Sequence, residues 1–212
     1  YASAQGINLL DCWMADPKSR DIIGSGISEN RGQWYIQGHI GSTWKDAQYF
    51  RTREMKYVRP AFEDLLKRLQ TDYIDLGMIH YVDSEKEWEQ IQHSEYLDYV
   101  MELKNSGVIR HIGISSHNPK VAVKAAESGY VEMILFSINP AFDMLPASED
   151  IDTMFAEEYA AGLKGIDADR AKLYRVCEQN DVGITVMKGF AGGRLFDAKR
   201  SPFGVSLTPV QC

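Results

Sequence analysis

Short apolar runs and amphipathic stretches alternate along this chain, and that rhythm restricts its fold more than any other feature. Six runs rich in Ile, Leu, Val and aromatic residues read as strands: 7–12, 34–39, 73–80, 110–115, 132–139 and 183–188. They suit strands covered on both faces. Helical patterns lie between them. Residues 17–30 place Ile22, Ile23 and Ile27 on one face, and residues 52–70 carry Met55, Val58, Phe62, Leu65, Leu66 and Leu69 at helical spacing. Pro60 within the second pattern predicts a kink there or a helix that starts near it.

The punctuation agrees with this reading. Ser84 and Glu87 have capping-box spacing, and their helix is expected to break near Ser94 and to end at Gly107. Asn118-Pro119 is an N-cap followed by proline in the first turn, with Gly129 closing that helix. Asp167 can cap the last one. Repeated strand–helix units need parallel strands joined by right-handed crossovers. A doubly wound sheet would carry a glycine-rich dinucleotide fingerprint after its first strand, whereas this chain reads Trp13-Met14-Ala15-Asp16-Pro17. Polar residues gather instead at the carboxyl ends of the strands: Asp11, His39, His80, Ser115 with Ser116, Asn139 and Lys188. In a (β/α)8 barrel those ends form the active-site face.

Composition narrows the function classes. Among 212 residues, 44% are hydrophobic, enough for a large core, and the net charge of −7 disfavours a nucleic-acid partner held by bulk charge. No apolar run approaches the roughly 18 residues that span a bilayer, and residues 1–6 do not read as a signal peptide. Cys12, Cys177 and Cys212 are too few and too scattered for a disulfide framework or a closed metal site, so a cytoplasmic setting is expected. Residues 146–169 form an acidic insertion of net charge −6, either a solvated loop with a short helix or a lid.

Four motifs carry a family resemblance. Gly6-Ile7-Asn8-Leu9-Leu10-Asp11 resembles the second-strand signature of aldo-keto reductases. Residues 66–76 leading to Ile79-His80 resemble the family's fourth strand, and residues 107–118 its fifth. Residues 183–188 followed by Gly192-Gly193-Arg194-Leu195 resemble the seventh. The resemblance implies an incomplete TIM barrel, strands two to seven, with residues 1–212 as one barrel domain truncated at both ends. The Ser115-Ser116-His117-Asn118 run is most similar to a bacterial branch that often carries a C-terminal ferredoxin-like 4Fe-4S segment, whose cysteines would lie beyond Cys212.

In that family a tyrosine protonates a substrate carbonyl while NADPH delivers hydride, tuned by a lysine and an aspartate and assisted by a histidine. The resemblance therefore implies an NAD(P)H-dependent oxidoreductase acting on a small carbonyl or alcohol. Asp11 matches the aspartate and His80 the histidine, but Asp16 stands at the tyrosine position and His39 at the lysine position. Within this reading His80 or His39 gives the proton, polarised by Asp11 and Asp16. For the nucleotide, NADP(H) or NAD(H), the matching residues are Ser115, Ser116, Asn139, Lys188, Gly189 and Gly193. Two alternatives stand beside this one. Two carboxylates and two imidazoles suit a metal-dependent hydrolase or lyase, and loss of the tyrosine suits a catalytically silent barrel that binds cofactor. Trp13, Trp44 and Tyr81 either line a substrate pocket or pack loops against the rim.

Overall fold

A computed structural model describes residues 1–156 and 163–212, and these form two compact units. The first comprises residues 1–81 and 89–114, the second residues 82–88 and 115–212. Glu157 and Glu158 of the acidic insertion lie outside the described residues.

The first unit opens with β1 (Leu9–Cys12), α1 (Pro17–Ile27) and β2 (Tyr35–Ile40). A hairpin of β3 (Ser42–Lys45) and β4 (Gln48–Arg51) follows, then α2 (Met55–Arg68) and β5 (Ile74–Ile79). Helix α3 (Glu85–Ile91) straddles the two units, and α4 (Glu95–Asn105) leads into β6 (Ile109–Ser116). Within this unit β1, β2, β5 and β6 pair in that order, all parallel. Asp16 caps α1, Ser94 caps α4, and the break expected near Ser94 separates α3 from α4. Helix α2 runs on through Pro60, so neither a start there nor an interruption is seen.

Val58, Phe62 and Leu65 form the buried stripe of α2, each no more than 2% exposed, against the apolar face of the strands. Two glycines permit this packing. A β-carbon on Gly24 of α1 would meet the Arg68 carbonyl oxygen at 2.0 Å, and one on Gly38 of β2 would meet Leu65 at 2.8 Å. Buried Asp75 pins the same unit by accepting from Arg31, Arg110 and the Ile36 amide, each at 3.0 Å.

The second unit holds α5 (Pro119–Glu127), β7 (Met133–Ser137), α6 (Ala168–Gln179) and β8 (Gly183–Met187). Strands β7 and β8 are parallel, in register from Met133–Gly183 to Ser137–Met187. Asn118 and Asp167 cap α5 and α6 as expected. Buried Arg170 of α6 donates to the Ser137 carbonyl at 2.9 Å and the Leu145 carbonyl at 3.2 Å. Part of the acidic insertion packs here: Met154 and Leu145 join Phe142 and Leu195 in one apolar cluster. Two of its carboxylates serve as caps, Asp150 for residues 151–155 and Asp167 for α6.

Candidate active site

Register alone brings three of the sequence candidates to one face. Asp11 sits opposite Gln37, and His39 opposite Met78. Side chains alternate along a strand, so Asp11, Gln37, His39, Met78 and His80 share a face. His80 lies just past β5, yet its amide still donates to the Ile40 carbonyl at 3.1 Å and so continues the ladder.

On that face the side chains form a line of three hydrogen bonds. His39 Nε2 lies 2.8 Å from Asp11 Oδ1, and His39 Nδ1 lies 2.7 Å from His80 Nδ1. At the far end the Tyr49 hydroxyl lies 2.7 Å from His80 Nε2. His39 and His80 are buried, at 2% and 5% exposure, while the Asp11 side chain is about one-third exposed.

Tyr49 is the residue that sequence reading missed. It is absent from the loop where the family carries its tyrosine and comes from the β3–β4 hairpin. Asp46 and Ala47 form the two-residue turn with φ of 51° and 58°, the left-handed pair of a type I′ turn. An Asn-Gly turn would have announced the hairpin, and Asp-Ala does not. Trp44 pairs across the hairpin with Tyr49, whose ring also meets the Trp13 ring edge-on at 5.8 Å. Burial raises the Tyr49 phenol above its ordinary pKa, while Arg51 and Arg53 pull the other way.

Asp16 is not brought to this line. Its carboxylate accepts from the Ser19 amide at 2.9 Å and the Ser19 hydroxyl at 2.7 Å, as the N-cap of α1. Those bonds hold its pKa below the usual carboxylate value, the reverse of what an acid at neutral pH needs. Of the two carboxylates expected to polarise the imidazoles, Asp11 is the one that contacts them.

The nucleotide candidates all lie in the second unit, and two of them are turned to internal work. The Ser116 hydroxyl, fully buried, donates to Asp83 at 3.1 Å and accepts from the Asn118 amide at 3.1 Å. Asn139 joins the ends of β7 and β8: its Nδ2 donates to the Lys188 carbonyl, and its Oδ1 accepts the Ala141 and Phe142 amides. Gly193, at φ 83°, closes a turn through its amide on the Phe190 carbonyl at 2.9 Å. Gly189 is open, with nothing within 4 Å of where a β-carbon would stand.

Lys188 takes part in a second hydrogen-bonded row. Its Nζ lies 2.7 Å from His117 Nε2, and His117 Nδ1 lies 2.9 Å from Asp83 Oδ2. Asp83 Oδ1 accepts the His117 amide at 2.6 Å. Burial lowers the pKa of Lys188, opposed by Asp83. Burial also lowers that of His117; Asp83 opposes the shift and Lys188 adds to it.

The metal reading finds no ligand set. The two Nδ1 atoms stand 2.7 Å apart, hydrogen-bond distance, whereas two imidazoles at about 2.0–2.1 Å from one tetrahedral ion would be further apart. Among the described residues no group of three His, Cys, Asp or Glu side chains is arranged to hold an ion. Cys12, buried beside Asp11, has its thiol pushed up to about 12, and Cys177 to about 11, so both act as inert core residues. Trp44 lines a cavity of about 390 Å³ with Ala15, Tyr57 and Pro60, a space that none of the aligned catalytic candidates lines. No helix among the described residues is long and apolar enough to cross a membrane.

Residues 1–206 match the Aldo/keto reductase family, so the chain belongs to that family. The oxidoreductase YqkF of Bacillus subtilis is 30% identical over 145 residues, a match covering 66% of this chain and 45% of that protein. The aldo-keto reductase YhdN of Bacillus subtilis is 35% identical over 116 residues, covering 53% of this chain and 34% of its own length. The chain thus spans less than half of the curated relatives it matches. Among solved structures, the holo form of aldo-keto reductase AKR11C1 from Bacillus halodurans superposes with a TM-score of 0.65 at 23% identity, over 92% of this chain and 56% of that one. An aldo/keto reductase from Klebsiella pneumoniae, solved with NADP and acetate, gives 0.53 at 18% identity, over 92% and 58%. The iron–sulfur segment gains no support from these relatives.

Proposed function

We propose that this chain reduces a small aldehyde or ketone, or runs the reverse oxidation, using a nicotinamide nucleotide and a proton stored on the His39–His80 pair. The observation that carries the reading is the unbroken line from Asp11 through both imidazoles. Asp11 can only accept, so it fixes a hydrogen on His39 Nε2. Two imidazoles in one line can take up a proton and pass it on, the work that a tyrosine and a lysine do in the family.

For the nucleotide, Lys188, Gly189 and Gly193 are the residues proposed at the phosphates, with Ser115 at the nicotinamide end. The open Gly189 supports close approach of a phosphate to backbone, and Lys188 brings charge. Ser116 and Asn139 are replaced in this role by their internal hydrogen bonds. When bound, the dihydronicotinamide contributes hydride; the protein positions the carbonyl and moves the proton. NADP in the Klebsiella relative supports the choice of cofactor class.

The test uses purified protein with NADPH and NADH. Quenching of tryptophan fluorescence reads binding, and loss of dihydronicotinamide absorbance with a panel of small aldehydes and ketones reads turnover. Saturable binding with turnover of at least one carbonyl is expected. Binding without any turnover would replace this reading with that of a silent nucleotide-binding protein, and absence of binding would remove both.

A further inference from the structure

We infer that Tyr49, carried by the β3–β4 hairpin, is the group that gives the proton to the carbonyl, and that the Asp11–His39–His80 line sets the direction of its O–H. The inference rests on the reductase reading above and names its terminal catalytic residue.

Counting hydrogens shows why the tyrosine belongs to the line. There are three contacts, and each needs one hydrogen. A carboxylate, two neutral imidazoles and a phenol hold three. Asp11 only accepts, so His39 carries its hydrogen on Nε2 and leaves Nδ1 bare. His80 must then carry its own on Nδ1, which leaves Nε2 bare to accept the Tyr49 O–H. In this state every hydrogen points toward Asp11, and Tyr49 offers outward only a lone pair, suited to accept a hydrogen bond from an alcohol.

One added proton reverses two of the three contacts. His39 then holds hydrogen on both nitrogens. His80 accepts at Nδ1 and donates from Nε2 to the Tyr49 oxygen. The Tyr49 O–H is released from His80 and points to a carbonyl. As hydride adds to the carbonyl carbon, the π pair moves to the carbonyl oxygen, which takes the Tyr49 proton. The Tyr49 oxygen recovers a proton from His80 Nε2, and His80 Nδ1 recovers one from His39 Nδ1. The line ends in its three-hydrogen state, the carbonyl has gained one hydride and one proton, and the dihydronicotinamide assumed by the reductase reading is the species oxidised. Run backward, the same line accepts the alcohol proton.

The surroundings of Tyr49 suit this duty. It is half-buried and set on a hairpin that β2 leads into directly. Among the described residues, Arg51 of β4 and Arg53 just after it act on the Tyr49 phenol. Tyr81 stands edge-on to His80 at 6.3 Å, and the Tyr96 hydroxyl is on the Ile40 carbonyl. Arg53 donates to the His80 carbonyl and fixes that residue's backbone. The two arginines favour a phenolate as it forms, work that the family's lysine does elsewhere.

Tyr49→Phe removes one oxygen and keeps the ring. It should lower carbonyl reduction by about 10²–10⁴-fold, the usual worth of a positioned acid, with nucleotide binding and circular dichroism unchanged. Independently of turnover, nitrogen NMR of the imidazoles should find neutral His39 as the Nε2–H form and neutral His80 as the Nδ1–H form. In Tyr49→Phe the His80 Nε2 signal should shift as it loses its donor. A Tyr49→Phe protein that keeps its activity while His80→Gln loses it would overturn the inference and leave the histidine as the acid. A neutral His80 bearing its hydrogen on Nε2 would overturn the direction argued here. Wild-type protein that binds nucleotide and reduces nothing would remove the reductase reading, and the inference with it.

Discussion

Two rows of hydrogen-bonded side chains, each an aspartate against a histidine, have opposite characters. In the first unit Asp11, His39, His80 and Tyr49 join groups that can both give and take a hydrogen, apart from the carboxylate at one end. In the second, Asp83, His117 and Lys188 join an acceptor, an imidazole and a group with only donors. An ammonium cannot turn round, so it requires His117 Nε2 to be bare and Nδ1 to carry the hydrogen toward Asp83. A further proton on His117 would set N–H against N–H. On the proposal above, the first row is a relay that one proton reverses, whereas the second, ended by an ammonium, holds one arrangement. Asp83 confirms the difference in its setting: it also accepts the Ser116 hydroxyl and the His117 amide, and its carbonyl accepts Asn118 Nδ2 at 2.9 Å. The lesson is that the chemistry of the terminal group, more than the shared Asp–His pair, decides whether such a row moves protons.

Substitutions can break this contrast. The largest effect is expected at the relay: His80→Gln should reduce carbonyl turnover by about 10²–10⁴-fold with little loss of stability, read from steady-state kinetics alongside urea denaturation. Asp83→Ala should do the reverse. It leaves the His117 ring and the His117 amide without their buried acceptor, and should lower unfolding free energy by about 3–5 kcal/mol in the same denaturation assay. Equal kinetic effects from the two substitutions, with no stability difference, would erase the distinction.

Acid sharpens it further. His117 has a folded pKa below its unfolded one, so as pH falls below about 6.5 the unfolded chain takes up a proton that the folded chain refuses. Its contribution to stability is complete above that value and is lost as pH falls toward the folded pKa. Unfolding midpoints measured between neutral and mildly acid pH should decline, and His117→Gln should flatten this slope. The smallest effect belongs to Asp16. Asp16→Ala removes the α1 cap and should lower stability only slightly. Turnover should be unchanged, a result that kinetics and thermal melting together would show; a large kinetic loss would return Asp16 to the site.

Much of the architecture is legible in the chain because the signals are local. The six strand runs, the Asn118-Pro119 start of α5, the Ser94 break and the Asp167 cap depend on side chains within a turn or two of one another, and each element falls within a few residues of its expected bounds. Asp11, His39 and His80 were recognisable as strand-end polar groups. What made them a row is register, since shifting β2 by one residue would turn His39 to the opposite face. The Asp83–His117–Lys188 row shows the limit from the other side. His117 lies inside a motif read for its neighbour Ser116, and nothing local couples it to a lysine 71 positions later.

Sequence by itself determined the family and the parallel strand–helix plan, because those are matters of residue type and spacing. Only the tertiary structure decided that Asp16 serves a helix end, that Ser116 and Asn139 turn inward, and that Tyr49 reaches His80. The physical reason is range. A cap or an apolar stripe is settled by residues close along the chain, whereas a hydrogen bond between residues 31 apart is settled by where a hairpin folds back over neighbouring strands.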